Sequence, residues 1–168
     1  MNKLILTVGI SGSGKSTFAG RTVQHNPDRY IRVSRDKLRE MLYGYTEASV
    51  NEYYQRNDMH KLEGWVTSIE HDMIEGLLTD EDTTVIVDET HLKAKYLNNY
   101  SKYAENGIEI ELVFFNITLK EALIRNKSRV RQVDEDIIIR QYDNYVNLRK
   151  FLTSGKLKFD YICTEINN

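Results

Sequence analysis

Leu4-Ile5-Leu6-Thr7-Val8 is an almost unbroken apolar run ending at Gly9, which predicts a short strand covered on both faces. Residues 18–24 continue as a helix, and Asn26-Pro27-Asp28 turns the chain. Tyr30-Ile31-Arg32-Val33 alternates with period two, a second strand. Ser34 is placed to cap a helix from Arg35 to Leu42 or Tyr43, and a polar loop follows over residues 44–49. Across residues 50–79, Leu62, Val66, Ile69, Met73 and Leu77 recur at spacings of four, three, four and four, predicting one long amphipathic helix.

After an acidic turn at residues 80–83, Thr84-Val85-Ile86-Val87 is β-branched throughout, as in a strand buried on both sides. Residues 93–106 read as helix stopped by Gly107, residues 108–117 as strand and residues 118–127 as helix. A short basic connection at residues 128–133 leads to a helix over 134–151 and a last strand over 158–163. Strands alternating with helices predict an α/β fold: one domain with a mostly parallel sheet of about five strands and helices on both faces. Ligands of such sheets sit beyond the carboxyl ends of the strands. The motifs below fall there or on the basic connection.

At 168 residues, 40% hydrophobic and 29% charged, the chain fits one domain with a sizeable core. A net charge of −2 argues against a broad basic face coating nucleic acid, although a protein that grips only a strand end needs no such face. The single cysteine, Cys163, excludes an internal disulfide and reads as a small apolar residue of the last strand. No cationic leader precedes the first apolar run and no stretch is long enough to span a membrane, so the cytoplasm is the expected compartment.

Gly9-Ile10-Ser11-Gly12-Ser13-Gly14-Lys15-Ser16-Thr17 changes the picture most. It fits G-x-x-x-x-G-K followed by Ser or Thr, the loop that cradles the phosphates of a nucleoside triphosphate. Small residues let successive backbone N–H groups turn inward as an anion nest, and the following helix aims its positive end at the same phosphates. Gly9, Ser11, Gly12, Ser13, Gly14, Lys15, Ser16 and Thr17 are therefore the candidate nucleotide-binding set. Lys15 can reach the β and γ oxygens, and the Ser16 hydroxyl can ligate Mg²⁺.

Three further clusters bear on where a phosphoryl group would go. Asp36 falls in a first helical turn, where it is either a base for an attacking hydroxyl or a complement to the helix dipole. Arg39 shares its face and suits an acceptor's phosphate, with Arg35 a further acceptor-side candidate. In the second cluster, Asp88 either organises Mg²⁺ or caps a helix, Glu89 and Thr90 line an acceptor site, and His91 stacks on a base or covers the surface. In the third, Lys120, Arg125, Lys127, Arg129 and Arg131 form either a lid over the γ-phosphate, at about residues 120–133, or a solvated basic face. Tyr43, Tyr45, Tyr53 and Tyr54 either stack on nucleobases or fill the edges of a helical subdomain.

Taken together, residues 4–17, residues 30–39 with their S-R-D-x-x-R, the E-T-H-L stretch and R-N-K-S-R resemble, in the same order, the kinase domain of the bacteriophage polynucleotide kinase family. The resemblance implies a P-loop kinase domain that uses ATP and Mg²⁺ and acts on the 5′-hydroxyl end of DNA or RNA. It implies that Lys15 and Ser16 contact ATP, Asp36 is the general base, Arg39 holds the acceptor phosphate, and Arg129 grips the γ-phosphate beside Arg125. Glu89 and Thr90 match the acid and Thr of the family's D-T-N. The chain departs from the family in Glu89 for Asp and His91 for Asn. It lacks the D-x-D-G-T motif of the phage enzyme's 3′-phosphatase domain, so no phosphatase activity is expected.

The expectation is a polynucleotide 5′-hydroxyl kinase of end repair. A kinase for another hydroxyl, on a hydroxymethylated base, a nucleoside or a small metabolite, would carry the same phosphate-side residues. A guanine-reading switch is disfavoured, because Asn126-Lys127-Ser128-Arg129 has Arg where N-K-x-D needs Asp. No oligomeric interface is legible.

Overall fold

The computed structural model describes residues 1–46 and 48–168; Glu47, in the expected loop of residues 44–49, lies outside the described residues. Five parallel strands form a single sheet among them. These are β1 (Lys3–Val8), β2 (Tyr30–Ser34), β3 (Thr84–Asp88), β4 (Glu109–Asn116) and β5 (Ile162–Asn167), in the order β2-β3-β1-β4-β5. The crossovers carry α1 (Lys15–His25), α2 (Arg35–Tyr43), α3 (Val50–Tyr54), α4 (Met59–Leu77), α5 (Ala94–Leu97), α6 (Ser101–Glu105), α7 (Leu119–Lys127) and α8 (Glu135–Ser154).

The apolar run of β1 splits by strand parity. Leu4, Leu6 and Val8 join Val87, Leu112 and Phe114 on the larger side of the core, under α2, α4 and α6 to α8. Ile5 joins Ile86, Val113 and Phe115 on the other side, against Phe18 and Ala19 of α1. Both faces are dry, which is why β1 and β3 read as continuous apolar segments. Leu6 lies opposite Val87, Val8 opposite Phe114 and Ser34 opposite Asp88, so the carboxyl ends of β1, β2 and β3 share one edge. At β1 the strand order reverses, with β3 on one side and β4 on the other. Open α/β sheets bind ligands at such a point.

The structure departs from the sequence pattern in four places. Residues 50–79 form two helices, because Val50 and Tyr53 sink α3 into the core before α4 sets off. The buried line of α4 is Val66, Glu70 and Ile74, while Met73 is 39% exposed; an inward carboxylate displaces the apolar stripe by one position. Residues 93–106 break into α5, a 3₁₀ turn (Asn98–Tyr100) and α6, and their buried Leu97, Tyr100 and Tyr103 follow a period of three.

The last strand starts at Ile162 rather than at residue 158. Leu157 and Phe159 are core plugs on irregular backbone, and β5 is an exposed edge on which Cys163 faces solvent. Ser34 stands at the N-cap of α2 without a side-chain bond, whereas Thr118 accepts from the Glu121 N–H and caps α7. Among the described residues no helix is long and apolar enough to cross a membrane.

Candidate active site

The loop between β1 and α1 is shaped by glycine where a side chain would not fit. Gly12 (φ 83) and Gly14 (φ 97) are left-handed, and Gly14 is the N-cap of α1. A Cβ at Gly9 would meet the Ser13 hydroxyl at 2.7 Å and the Phe115 Cβ at 3.0 Å. The loop is braced from outside, since Ser11 N–H donates to Gln141 Oε1 of α8 at 2.8 Å and Gly9 N–H to the Thr90 carbonyl at 3.0 Å. Lys15 is buried and donates to the Ile10 carbonyl at 2.6 Å. Burial lowers its pKa to about 8; Asp88 and Asp36 pull it up, and Arg129 pushes it further down.

A cavity of about 580 Å³ opens above this loop. Ser11, Gly12, Gly14, Lys15, Ser16 and Thr17 face it from below, and Asp36 and Arg39 from α2. Asp88, Glu89 and Thr90 face it from the end of β3, and Arg125, Arg129 and Arg131 from α7 and the basic connection. Asp36 and Arg129, remote in sequence, thus share a cavity with Lys15. Gly9 and Ser13 shape it from behind.

The Asp36 side chain is 55% exposed, and its two oxygens are held from opposite directions. Arg39 Nη1 donates to Oδ1 at 2.9 Å, and Arg131 Nη1 donates to Oδ2 at 3.1 Å. Arg39 is itself fixed by Glu63 of α4, which also accepts from the Tyr53 hydroxyl at 2.6 Å. Burial works to raise the Glu63 carboxyl, but the bonds from Arg39 and Tyr53 outweigh it and hold the pKa at about 2.

Asp88 receives Arg32 Nε at 3.0 Å and Nη2 at 2.5 Å, both on Oδ2. Its Oδ1 has no protein partner among the described residues. One hydroxyl (Ser16) and one carboxylate oxygen on the same cavity wall fit Mg²⁺, which takes its other ligands from water and phosphate. The basic connection is closed by Asn126, whose buried amide accepts from Val133 N–H at 2.9 Å and donates to the Val133 carbonyl at 2.7 Å. A second cavity of about 700 Å³ borders α1, with Phe18, Tyr30, Phe115 and Ile166 on its walls; Gly14, Thr17 and Arg125 line both cavities.

Residues 4–149 match the model of an AAA domain family. The chain belongs to that family. A chain of the Pnkp1/Rnl/Hen1 RNA repair complex is 22% identical to this AAA domain, with a TM-score of 0.74 and coverage of 96% of this chain and 47% of that one. A chain of a Pnkp1/Rnl/Hen1 complex is 27% identical, with a TM-score of 0.59 and coverage of 74% and 39%. A gluconokinase from Sinorhizobium meliloti 1021 is 16% identical, with a TM-score of 0.56 and coverage of 98% and 82%. The AAA domain thus spans less than half the length of the two repair-complex chains. The shared feature is the fold: a parallel sheet flanked by helices, of the P-loop kinase type.

Of the expected acceptor residues, Arg35 lines the cavity as Arg39 does, and like Arg39 it is braced by the protein, with Nη1 on Glu70 at 2.7 Å, Nη2 on Glu63 at 2.8 Å, both nitrogens on Thr67, and Nε 3.6 Å from Glu89. It ties α2 to α4 and to the residue that follows β3. Burial beside Glu89 holds the Glu70 carboxyl above its ordinary range despite the Arg35 contact. His91 is only 1% exposed and does not reach the cavity. The Thr7 carbonyl can only accept, so His91 Nδ1 carries the proton at 2.8 Å and Nε2 accepts from the Tyr100 hydroxyl at 3.1 Å. Its backbone is left-handed (φ 47), and burial lowers its pKa.

Of the four tyrosines, Tyr54 lines the cavity, while Tyr53 is buried against Tyr43, Tyr45 and Tyr54. Sequence reasoning missed Glu63, Arg32, Gln141 and Asn126. Each acts on a residue outside its own element; Arg32 and Asn126 lay in stretches that the sequence had singled out, Glu63 and Gln141 did not.

Proposed function

We propose that this protein is a polynucleotide 5′-hydroxyl kinase that transfers the γ-phosphate of ATP to the 5′-OH end of DNA or RNA. The observation that carries the reading is the pairing of Asp36 with Arg39 on one helix, facing the cavity that Lys15 and Arg129 also line. A base and a cation side by side suit an acceptor whose hydroxyl neighbours a phosphate. The family match and the likeness to chains of RNA repair complexes support it.

The loop N–H groups of residues 11–16 and Lys15 receive the β- and γ-phosphates. Ser16 and Asp88 would hold Mg²⁺, which would supply charge neutralisation to the triphosphate. Asp36 orients the 5′-hydroxyl and takes its proton as the new O–P bond forms. The bond from the γ-phosphorus to the bridging oxygen breaks, and ADP leaves. Arg129, as part of a lid over residues 120–133, and Lys15 stabilise charge on the transferring group. Arg39 holds the acceptor's adjacent phosphate.

A second reading keeps this machinery and changes the acceptor to a hydroxymethylated base, a nucleoside or a small metabolite; the likeness in fold to a gluconokinase supports it. Incubation with γ-labelled ATP and 5′-OH oligonucleotides, hydroxymethylated duplexes, nucleosides or gluconate separates the two. Label on oligonucleotide 5′ ends is the expected result; label only on another acceptor replaces the reading.

A further inference from the structure

The arginines of α7 and the basic connection divide between the two ends of the cavity. Arg125 reaches back to the phosphate loop, its Nη1 donating to the Gly12 carbonyl at 3.4 Å, and Arg129 acts on Lys15. Arg131 turns the other way. Its Nη1 donates to Asp36 Oδ2 at 3.1 Å, and with Arg39 it acts on the Tyr54 hydroxyl. The Arg131 side chain is 15% exposed, and its Nε is shut off from solvent with no hydrogen-bond partner among the described residues. Arg131 lines the cavity, and its Nη2 makes no hydrogen bond among the described residues, which leaves it as the donor open to a phosphate oxygen.

We propose that Arg131 is an acceptor-binding residue, which with Arg39 brackets the phosphodiester that follows the 5′-terminal nucleotide. The assignment rests on the polynucleotide kinase reading and adds a second cation to the acceptor-phosphate contact that the reading gives Arg39. From the cavity wall Arg131 can meet that phosphate through Nη2 while Nη1 still touches Asp36. The contact to Asp36 falls on a half-exposed carboxylate, where ion pairs are weak and exchange readily. Tyr54 lies 5.5 Å from the Arg39 guanidinium and, at 42% exposed, offers a ring face for the terminal base. Arg131 belongs to the connection that Asn126 staples, which holds it beside Asp36.

The test is steady-state transfer to a 5′-OH oligonucleotide whose first linkage is either a phosphodiester or a neutral methylphosphonate. On the natural strand Arg131→Ala is expected to raise the acceptor KM about tenfold or more, leaving the ATP KM unchanged and kcat within about threefold, with partial recovery in Arg131→Lys. On the methylphosphonate strand the wild type itself should show a raised KM, and Arg131→Ala should add nothing. Equal penalties on both strands overturn the assignment, as does an effect confined to kcat or to the ATP KM, or no effect at all. Wild-type protein that labels another hydroxyl and neither strand overturns the underlying reading, and the role of Arg131 falls with it.

Discussion

Arg39 and Glu63 meet edge to edge, with Nε donating to Oε1 at 2.8 Å and Nη2 to Oε2 at 2.9 Å. The remaining nitrogen, Nη1, holds Asp36. A glutamate on α4 therefore decides where the carboxylate on α2 stands. Glu63→Gln keeps the shape and removes the charge, so the acceptor KM should rise several-fold while the ATP KM stays put. Steady-state kinetics against both substrates checks this, and a change confined to ATP contradicts it.

The same glutamate gives the fold an acid limit. Its pKa is held at about 2 against an ordinary 4.5, so its stabilisation is complete above pH 4.5 and is lost as pH falls toward 2. The partial exposure of the pair discounts the contribution to about 2–3 kcal/mol. Denaturant melts from pH 7 to pH 3 should show wild type losing stability faster than Glu63→Gln. Parallel curves would mean that Glu63 contributes nothing specific.

Lys15 titrates in a different window. With its folded pKa at about 8 and its ordinary value 10.5, the folded chain sheds the proton first, so stability rises with pH across that interval. ATP recruits the ammonium, and its affinity should weaken above pH 8. Calorimetry at pH 9 in buffers of different ionisation enthalpy should show proton uptake approaching one per ATP bound, abolished in Lys15→Met. Binding without uptake at that pH rejects this assignment of the charge.

A methyl group at Gly9 has nowhere to go, since it would meet Ser13 Oγ at 2.7 Å and Phe115 Cβ at 3.0 Å. Gly9→Ala should therefore weaken ATP binding by about tenfold or more through a displaced loop. Fold stability should fall by only about 1–2 kcal/mol, because the loop moves rather than the sheet. Equilibrium titration alongside thermal melts distinguishes this from general unfolding.

Contiguous features were the legible ones. The nine residues of the phosphate loop lie next to one another, and Asp36 and Arg39 are one helical turn apart, so local rules find both. The β-branched segment of β3 announced a strand dry on both faces, as the structure has it. What sequence could not give were contacts between elements. Glu70 occupies an inward position of α4 only because Arg35 meets it there, which no periodicity encodes. His91 looked like a surface or base-stacking residue, but its buried bonds to Thr7 and Tyr100 depend on two other elements. The β5 error has the opposite cause. Leu157 and Phe159 carry the apolarity of a strand, while the strand itself is a polar edge.

The central claim is that Asp36 serves as the base for a 5′-hydroxyl. Single-turnover transfer of labelled γ-phosphate to a 5′-OH oligonucleotide by wild type and Asp36→Asn, with ATP affinity measured on the same preparations, addresses it most directly. The account predicts a transfer rate lower by about 10²–10⁴-fold in the variant, with ATP affinity nearly unchanged. Transfer retained in Asp36→Asn while ATP binding is lost would contradict it.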